Sequence, residues 1–187
     1  MNEDVKQACR VLQEGGVILY PTDTIWGIGC DATNPEAVKR VYELKQRADS
    51  KAMLVLVDSP VKVDFYVQDV PDVAWDLIEF ADKPLTIIYS GARNLAPALL
   101  ADDGSVGIRV TREAFSQALC RQFRKAVVST SANISGQPSP TNFAAIADEL
   151  KTAVDYVVRY RQDEASNPKP SSIIRLDTGG VVKIIRS

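Results

Sequence analysis

The residues best suited to chemistry stand together in residues 20–30, which read Tyr-Pro-Thr-Asp-Thr-Ile-Trp-Gly-Ile-Gly-Cys. The apolar run before them, residues 17–20, is too short for a helix and predicts a buried strand. Pro21 should end that strand, because proline cannot donate to a sheet ladder. Thr22, Asp23 and Thr24 would then lie at a strand end, with glycines that allow a ligand close to the backbone. A plain strand, turn and second strand fit this stretch equally well.

A second polar cluster lies at residues 129–141, after a predicted strand at residues 126–128. Hydroxyl groups at a strand end are suitable ligands for phosphates and carboxylates, and the Asn133 amide can bind an amide or a base edge. An ordinary connection rich in Ser, Thr, Asn, Gly and Pro explains the composition equally well. The side chains concerned include Ser129, Ser131, Asn133 and Ser139.

A basic segment lies between these two clusters, with five cations and two acids in residues 39–51. Lys39 and Arg40 are typical of a solvated helix end. Lys45, Arg47 and Lys51 directly precede a buried strand, so a loop there could direct several cations into one cleft. Such a cleft would suit phosphates, which arginine binds with a bidentate fork and lysine as a point charge.

Composition excludes several kinds of chemistry. The 187 residues contain no histidine, which removes the commonest general base and metal ligand, and any serine–histidine triad. The three cysteines are widely spaced and form no metal or disulfide motif, and no glycine-rich phosphate loop follows a strand. Any reaction must therefore use carboxylates, lysines, arginines, hydroxyls, backbone amides or a metal held by oxygens.

Charge and hydropathy also limit the partners. With 22 basic and 24 acidic side chains the net charge is −2, which argues against a generally basic nucleic-acid protein but allows a local basic patch. No apolar run approaches the roughly 20 residues that span a bilayer. The acidic N-terminus does not resemble a signal peptide. These features predict a cytoplasmic protein without a membrane association.

Helical and strand patterns alternate through most of the chain, which predicts an α/β fold with a twisted mixed sheet in a single domain over residues 1–187. Helices are predicted at residues 3–14, from residue 35, at residues 71–81 and 112–123, and from a cap at Thr141. Strands are predicted at residues 17–20, 53–57, 83–89, 105–110, 126–128 and 155–158. Residues 171–176 and 181–185 form a predicted hairpin around residues 177–180. Residues 91–104 and 161–169 are predicted loops, the second of them mobile.

Five motifs in series resemble the YrdC-like family, the threonylcarbamoyl-AMP synthases of tRNA modification. They are Pro-Thr-Asp-Thr-Ile-Trp-Gly-Ile-Gly from Pro21, Lys45-x-Arg47 with Lys51, Lys83-Pro84-Leu85-Thr86, Ser131-Ala132-Asn133-x-Ser135-Gly136 with Ser139-Pro140-Thr141, and Ser171-Ser172-Ile173-Ile174. Each motif alone is weak, but together they cover nearly the whole chain in order and at compatible spacing.

The resemblance implies a twisted α/β sheet with an open basic concave face. It implies a reaction that joins L-threonine, bicarbonate and ATP into threonylcarbamoyl-adenylate with release of pyrophosphate, with Mg²⁺ assisting. Partner proteins would then transfer the threonylcarbamoyl group to tRNA, and weak binding of tRNA or double-stranded RNA is a further expectation.

By position, the resemblance also assigns site residues. The residues expected around ATP are Arg47, Lys51, Thr86, Ser131, Asn133, Ser139 and Arg186. The residues expected around threonine are Thr22, Thr24, Ser129 and Ser171. Lys45, Arg47 and Asp23 are the candidates for catalytic groups, with Asp23 orienting the threonine ammonium or a metal-bound water; no residue is assigned as a metal ligand.

The chain departs from the family pattern at several positions. Ala48 and Ala52-Met53 replace prolines or a Pro-Leu pair, Leu56 stands where some relatives have histidine, and Trp26 stands where tyrosine or phenylalanine is common. Longer relatives carry a second C-terminal domain, which we do not expect in this protein. Two other functions fit the residues: a non-catalytic module that binds tRNA or double-stranded RNA by shape and phosphate contacts, and a carbamoyl-transfer domain like those of hydrogenase-maturation proteins.

Overall fold

The computed structural model describes residues 1–46, 53–165 and 170–187. In these residues nine strands form one sheet in the order β7-β1-β2-β6-β3-β5-β4-β8-β9. The strands are β1 (Ile18–Tyr20), β2 (Gly27–Gly29), β3 (Leu54–Val57), β4 (Leu85–Tyr89), β5 (Val106–Val110), β6 (Val127–Ser131), β7 (Tyr156–Val157), β8 (Ser172–Leu176) and β9 (Val182–Arg186). The helices are α1 (Asn2–Gln13), α2 (Pro35–Leu44), α3 (Val63–Tyr66), α4 (Val73–Glu79), α5 (Ala114–Phe123) and α6 (Asp148–Ala153).

The sheet is mixed, as the alternating pattern predicts. Strand pairs β1–β7, β3–β5 and β4–β8 are parallel. The pairs β1–β2, β2–β6, β3–β6, β4–β5 and β8–β9 are antiparallel. The prediction of an α/β fold with a mixed sheet is therefore confirmed.

Local sequence explains the first two helices. In α1 the apolar stripe Val5, Ala8, Cys9 and Leu12 is buried, which is the pattern of a helix that packs on a core through one face. At the start of α2 the Asn34 side chain accepts hydrogen bonds from two backbone amides. Asn34 is thus the N-cap that the sequence predicts, with proline at the first helical position.

The central strands pack closely. A Cβ placed on Gly29 would lie 2.6 Å from the Val128 carbonyl oxygen and 2.6 Å from the Tyr20 ring. Distances under 3 Å require backbone or ring displacement, so this position in β2 admits only glycine without rearrangement. The glycine brings β2 against β6, the strand that carries the second polar cluster.

The predicted helix from Thr141 is wrong for most of its length, since α6 covers only Asp148–Ala153. Residues 141–147 form turns, in which the Asn142 side chain accepts from the Ala145 amide. The apolar side chains pack without a helix; Phe143 lies against the Trp26 ring with centroids 4.9 Å apart. These apolar residues have the spacing of a helix, but they lie in turns and pack against other parts of the chain.

Smaller differences concern element ends. The predicted strand at residues 126–128 continues to Ser131, so the first three hydroxyl residues of this cluster, Ser129, Thr130 and Ser131, lie within β6. Residues 91–104 include a short 3-10 helix, Pro97–Leu99, and the sequence analysis did not predict the helical turns Pro60–Lys62 and Val63–Tyr66. In the described part of the chain, no helix is long and apolar enough to cross a membrane.

Candidate functional site

One face of the sheet carries a cavity of about 460 Å³, within the range of small-molecule sites. Strands β2, β4, β5, β6, β8 and β9 all contribute to its described lining. Hydroxyl side chains and three arginines supply its polar groups: Thr24, Thr86, Ser105, Ser129, Thr130, Ser131, Ser139, Ser171, Arg109, Arg175 and Arg186. This set can bind oxyanions from several directions.

The structure brings most of the predicted site residues together around this cavity. Seven of them line it: Thr24, Thr86, Ser129, Ser131, Ser139, Ser171 and Arg186. Four others lie outside its described lining: Thr22, Asp23, Lys45 and Asn133. Arg47 and Lys51, and the departures at Ala48 and Ala52, lie outside the described residues. The individual roles remain predictions.

Three of the seven form one hydrogen-bonded group at the β4–β8 edge of the cavity. The Thr86 and Ser171 hydroxyls lie 3.0 Å apart, and both residues are buried. Arg186, at the end of β9, donates from Nε and Nη2 to the Ser171 carbonyl at 3.0 and 2.8 Å. The parallel pairing of β4 with β8 therefore places residues from distant parts of the sequence within one contact network.

Arg109 is a site residue that the sequence analysis missed. It is only 3% exposed, its Nη2 lies 3.0 Å from Asp23 Oδ1 and 3.4 Å from the Thr24 hydroxyl, and it lines the cavity. Burial lowers the pKa of its guanidinium, and the Asp23 carboxylate opposes that shift. The Nε atom is buried and has no hydrogen-bond partner among the described residues. A guanidinium that lines a cavity suits a carboxylate or phosphate.

The signal for Arg109 is a charged residue inside a short apolar strand, Val106–Val110. Because side chains alternate along a strand, Gly107 and Arg109 face the cavity, whereas Ile108 and Val110 face the other side of the sheet. A cation at such a position is expensive to bury without a partner. It therefore indicates either an ion pair or a ligand site.

Asp23 lies on the opposite side of Arg109 from the main cavity. It contributes to a smaller cavity of about 160 Å³ on the other face of the sheet, lined also by Leu85, Ile87 and Ile108. Burial raises the pKa of Asp23, and the Arg109 guanidinium opposes this shift. The carboxylate thus serves as counter-ion to Arg109 from behind the site.

Thr22 shapes the turn between β1 and β2. Its hydroxyl donates to the Ile25 carbonyl at 2.8 Å and accepts from the Thr24 amide at 3.0 Å. The hydroxyls of Thr22 and Thr24 lie 3.1 Å apart. Thr22 therefore positions Thr24, a residue of this turn that lines the cavity.

Lys45, at the end of α2, is 1% exposed and directs its ammonium at backbone carbonyls. Nζ donates to the Ser131 oxygen and, at 2.6 Å, to the Asn133 oxygen. The Lys45 carbonyl in turn accepts from the Ser135 amide at 2.8 Å. The lysine predicted as a catalytic cation thus holds the segment that follows β6.

Asn133 reinforces the same segment. Its amide nitrogen donates to the carbonyls of Ile134 at 2.9 Å and Gln137 at 2.7 Å. Its buried Oδ1 has no partner among the described residues. Together with Lys45, this amide fixes the turn that leads to Ser139 at the rim of the cavity.

The described lining of the cavity contains no carboxylate, and the described residues form no group of three or more His, Cys, Asp or Glu side chains that could hold a metal. Hydroxyls and guanidinium groups do not by themselves form a magnesium cage. A Mg²⁺ ion would therefore need ligands from a bound triphosphate and water, as is usual for this cation.

Comparison with known proteins agrees with this fold. The model of the Sua5/YciO/YrdC family, described as "Telomere recombination", matches residues 10–187. The threonylcarbamoyl-AMP synthase of Pseudoalteromonas translucida is 33% identical over 174 residues, which are 90% of this chain and 91% of the relative.

Two solved structures are also similar. E. coli YciO superposes with a TM-score of 0.85 at 25% identity over 100% of this chain and 90% of its own. P. abyssi Sua5 complexed with L-threonine gives a TM-score of 0.85 at 22% identity over 97% of this chain; the chain spans 53% of that protein. The resemblance predicted from the five motifs is confirmed: the chain belongs to the Sua5/YciO/YrdC family.

Proposed function

We propose that this protein is a threonylcarbamoyl-AMP synthase, which joins L-threonine, bicarbonate and ATP and releases pyrophosphate. The observation that carries the proposal is the single cavity that gathers seven of the predicted residues with the buried Arg109. The curated relative of that name supports it at 33% identity. The Sua5 protein of the same fold was solved with L-threonine.

Threonine would bind at the end of the cavity formed by Thr24, Ser129 and Arg109. Arg109 lines the cavity here, so its guanidinium would donate to the threonine carboxylate. Thr24 and Ser129 are 6% and 5% exposed. Their hydroxyls would form hydrogen bonds with the polar groups of the amino acid. Ser171 would lie between this end and the nucleotide.

ATP would occupy the part of the cavity near Ser131, Ser139, Thr86 and Arg186. Arg186 supplies a cation there, and Trp26 gives an apolar wall that Phe143 packs against. Arg47 and Lys51 are predicted to neutralise the triphosphate from the segment before β3. Mg²⁺ would come with the triphosphate, since the described lining offers it no carboxylate.

The reaction would proceed in two steps. The threonine amine and bicarbonate condense to a carbamate with loss of water. A carbamate oxygen then forms a bond to the α-phosphorus while the bond to the bridging oxygen of pyrophosphate breaks. Such transfers depend chiefly on placement and charge neutralisation, which hydroxyls, arginines and backbone groups provide without a histidine. Partner proteins would pass the threonylcarbamoyl group to tRNA.

Pyrophosphate release, measured with each component omitted in turn, tests this function. Release should require ATP, L-threonine, bicarbonate and a divalent ion together. Serine should remain a poor substrate, because the absent methyl group costs only about 1–3 kcal/mol in an apolar pocket. Release without threonine would instead indicate an ATP hydrolase. No release in any mixture would favour the RNA-binding module, which salt-sensitive binding of double-stranded RNA would then support.

A further inference from the structure

The ion pair between Asp23 and Arg109 is the charged contact most removed from water near the cavity. Oδ1 of the aspartate lies 3.0 Å from Nη2 of the arginine, and the side chains are 12% and 3% exposed. Burying two charges is costly, so each member of the pair depends on the close approach of the other. Removing one partner would leave the other charge buried and uncompensated.

The two members of this pair face opposite sides of the sheet. Arg109 lines the large cavity, whereas Asp23 lines the smaller cavity formed by Leu85, Ile87 and neighbouring residues. Asp23 is therefore placed behind the guanidinium and outside the described lining of the large cavity. Any effect of its carboxylate on a ligand in that cavity passes through Arg109.

The neighbouring anion does not compete for Arg109. Glu113 caps the first turn of α5 by accepting from the Phe115 and Ser116 amides, and it pairs with Arg161 at 3.3 Å. Arg109 thus has Asp23 as its near carboxylate, with the Thr24 hydroxyl as a second fixed contact on the same nitrogen. Its guanidinium also lines the large cavity, where a ligand can meet it.

We propose that Asp23 is a positioning residue, which fixes the guanidinium of Arg109 where it lines the large cavity, so that its cavity-facing N–H groups meet the substrate carboxylate; for the identity of that carboxylate the proposal rests on the proposed function. Asp23 does not touch threonine. Its charge holds one terminal nitrogen of the guanidinium at 3.0 Å, and this limits the rotation of the remaining donors.

Nuclear magnetic resonance of the arginine Nε–H groups tests the positioning without relying on any activity. The Arg109 signal, identified by its loss in Arg109→Lys, should be resolved and slow to exchange with water. In Asp23→Asn and Asp23→Ala it should shift and exchange faster, while in the control Asp82→Asn, an exposed acid at the smaller cavity, it should not change. An unchanged signal in folded Asp23→Asn overturns the proposal, and thermal melts establish that the variants are folded.

Binding measurements then distinguish an indirect role from direct contact with the substrate amine. The ligands are L-threonine and 3-hydroxybutyrate of the same hydroxyl configuration, which has the carboxylate and hydroxyl but no amine. Asp23→Asn should weaken both by about tenfold, the size expected for one hydrogen bond to a charged group. If threonine alone is weakened, Asp23 contacts the ammonium and the proposal is wrong.

A double-mutant cycle completes the test. If Asp23 acts through the guanidinium, Asp23→Asn should weaken threonine binding much less in the Arg109→Lys background than in the wild type. Equal losses in both backgrounds would contradict the proposal. If the Nε–H signal depends on Asp23 but the wild type releases no pyrophosphate, the proposed function fails while the positioning stands.

Discussion

Replacing Lys45 with methionine separates a structural from a catalytic role for this lysine. Methionine retains much of the aliphatic length but removes the ammonium, which is buried against the carbonyls of Ser131 and Asn133. The loss should loosen the segment after β6 and destabilise the protein. A lysine that acted only on ATP would leave the stability almost unchanged.

The size of the effect follows from the two contacts. The Ser131 carbonyl keeps the Asn133 amide as a donor at 2.9 Å, so the main loss is at the Asn133 carbonyl, and a buried carbonyl left without a donor costs about 1–3 kcal/mol. Methionine avoids the cost of burying an ammonium group, and this offsets part of the destabilisation. We therefore expect a loss of about 1–2 kcal/mol, which is a sizeable part of the total stability of about 5–15 kcal/mol that is typical of domains.

Urea unfolding at equilibrium measures this loss, which should lower the midpoint by about 1 M at the usual dependence on denaturant. Lys39→Met is a matched control on the same helix, because Lys39 is largely exposed and its 4.0 Å pair with Glu43 lies on the surface. Its stability should change by less than about 0.5 kcal/mol. If Lys45→Met unfolds like the wild type and yet releases no pyrophosphate, the structural reasoning is refuted and Lys45 is a catalytic cation.

The remaining predictions concern pH and the division of the cavity. Hydrogen bonds from Ser105 and Arg175 lower the pKa of Asp103 to about 2 in the folded protein. Because this pKa is below the unfolded value of about 3.9, the carboxylate stabilises the fold above about pH 4. This contribution is lost as the pH falls towards 2. Asp103→Asn should therefore be less stable than the wild type at pH 6. The difference between the urea midpoints of the two proteins should become smaller between pH 4 and pH 2, and a difference independent of pH would contradict this assignment. Ser129→Ala should raise the KM for threonine more than the KM for ATP, and Ser139→Ala should do the reverse; equal effects in steady-state kinetics would remove the proposed division.

Most strands could be predicted because their apolar runs are short and are bounded by turn residues. The strand 54–57 and the hairpin of β8 and β9 are examples, and the structure places them within one or two residues of the predicted bounds. The turns at residues 141–147, where a helix from Thr141 is predicted, could not be recognised from the sequence. Their apolar spacing fits a helix, but Phe143 packs on Trp26, a residue far away in the sequence.

The same limit applies to the two buried cations. Lys45 belongs to a basic segment and Arg109 is a single charge inside an apolar strand, but neither sequence context identifies the partner of the charge. Their difference depends on what the fold brings near them. Lys45 meets backbone carbonyls that follow β6, whereas Arg109 meets Asp23 and keeps one donor without a described partner. Local pattern predicts that these charges need partners, but the partners are determined by strand order.

Strand order also explains why the candidate site needs so much of the chain. Thr86 on β4 meets Ser171 only because β8 pairs in parallel with β4, and Arg186 reaches Ser171 only because β9 folds back on β8. The threonine end depends in the same way on β2 pairing with β6, which sets Ser129 near the turn that carries Thr24. Neither end is complete within one supersecondary unit. Formation of the cavity is therefore coupled to assembly of the whole sheet. A substitution that weakens the β4–β8 pairing should reduce nucleotide binding while β1 and β2 remain folded.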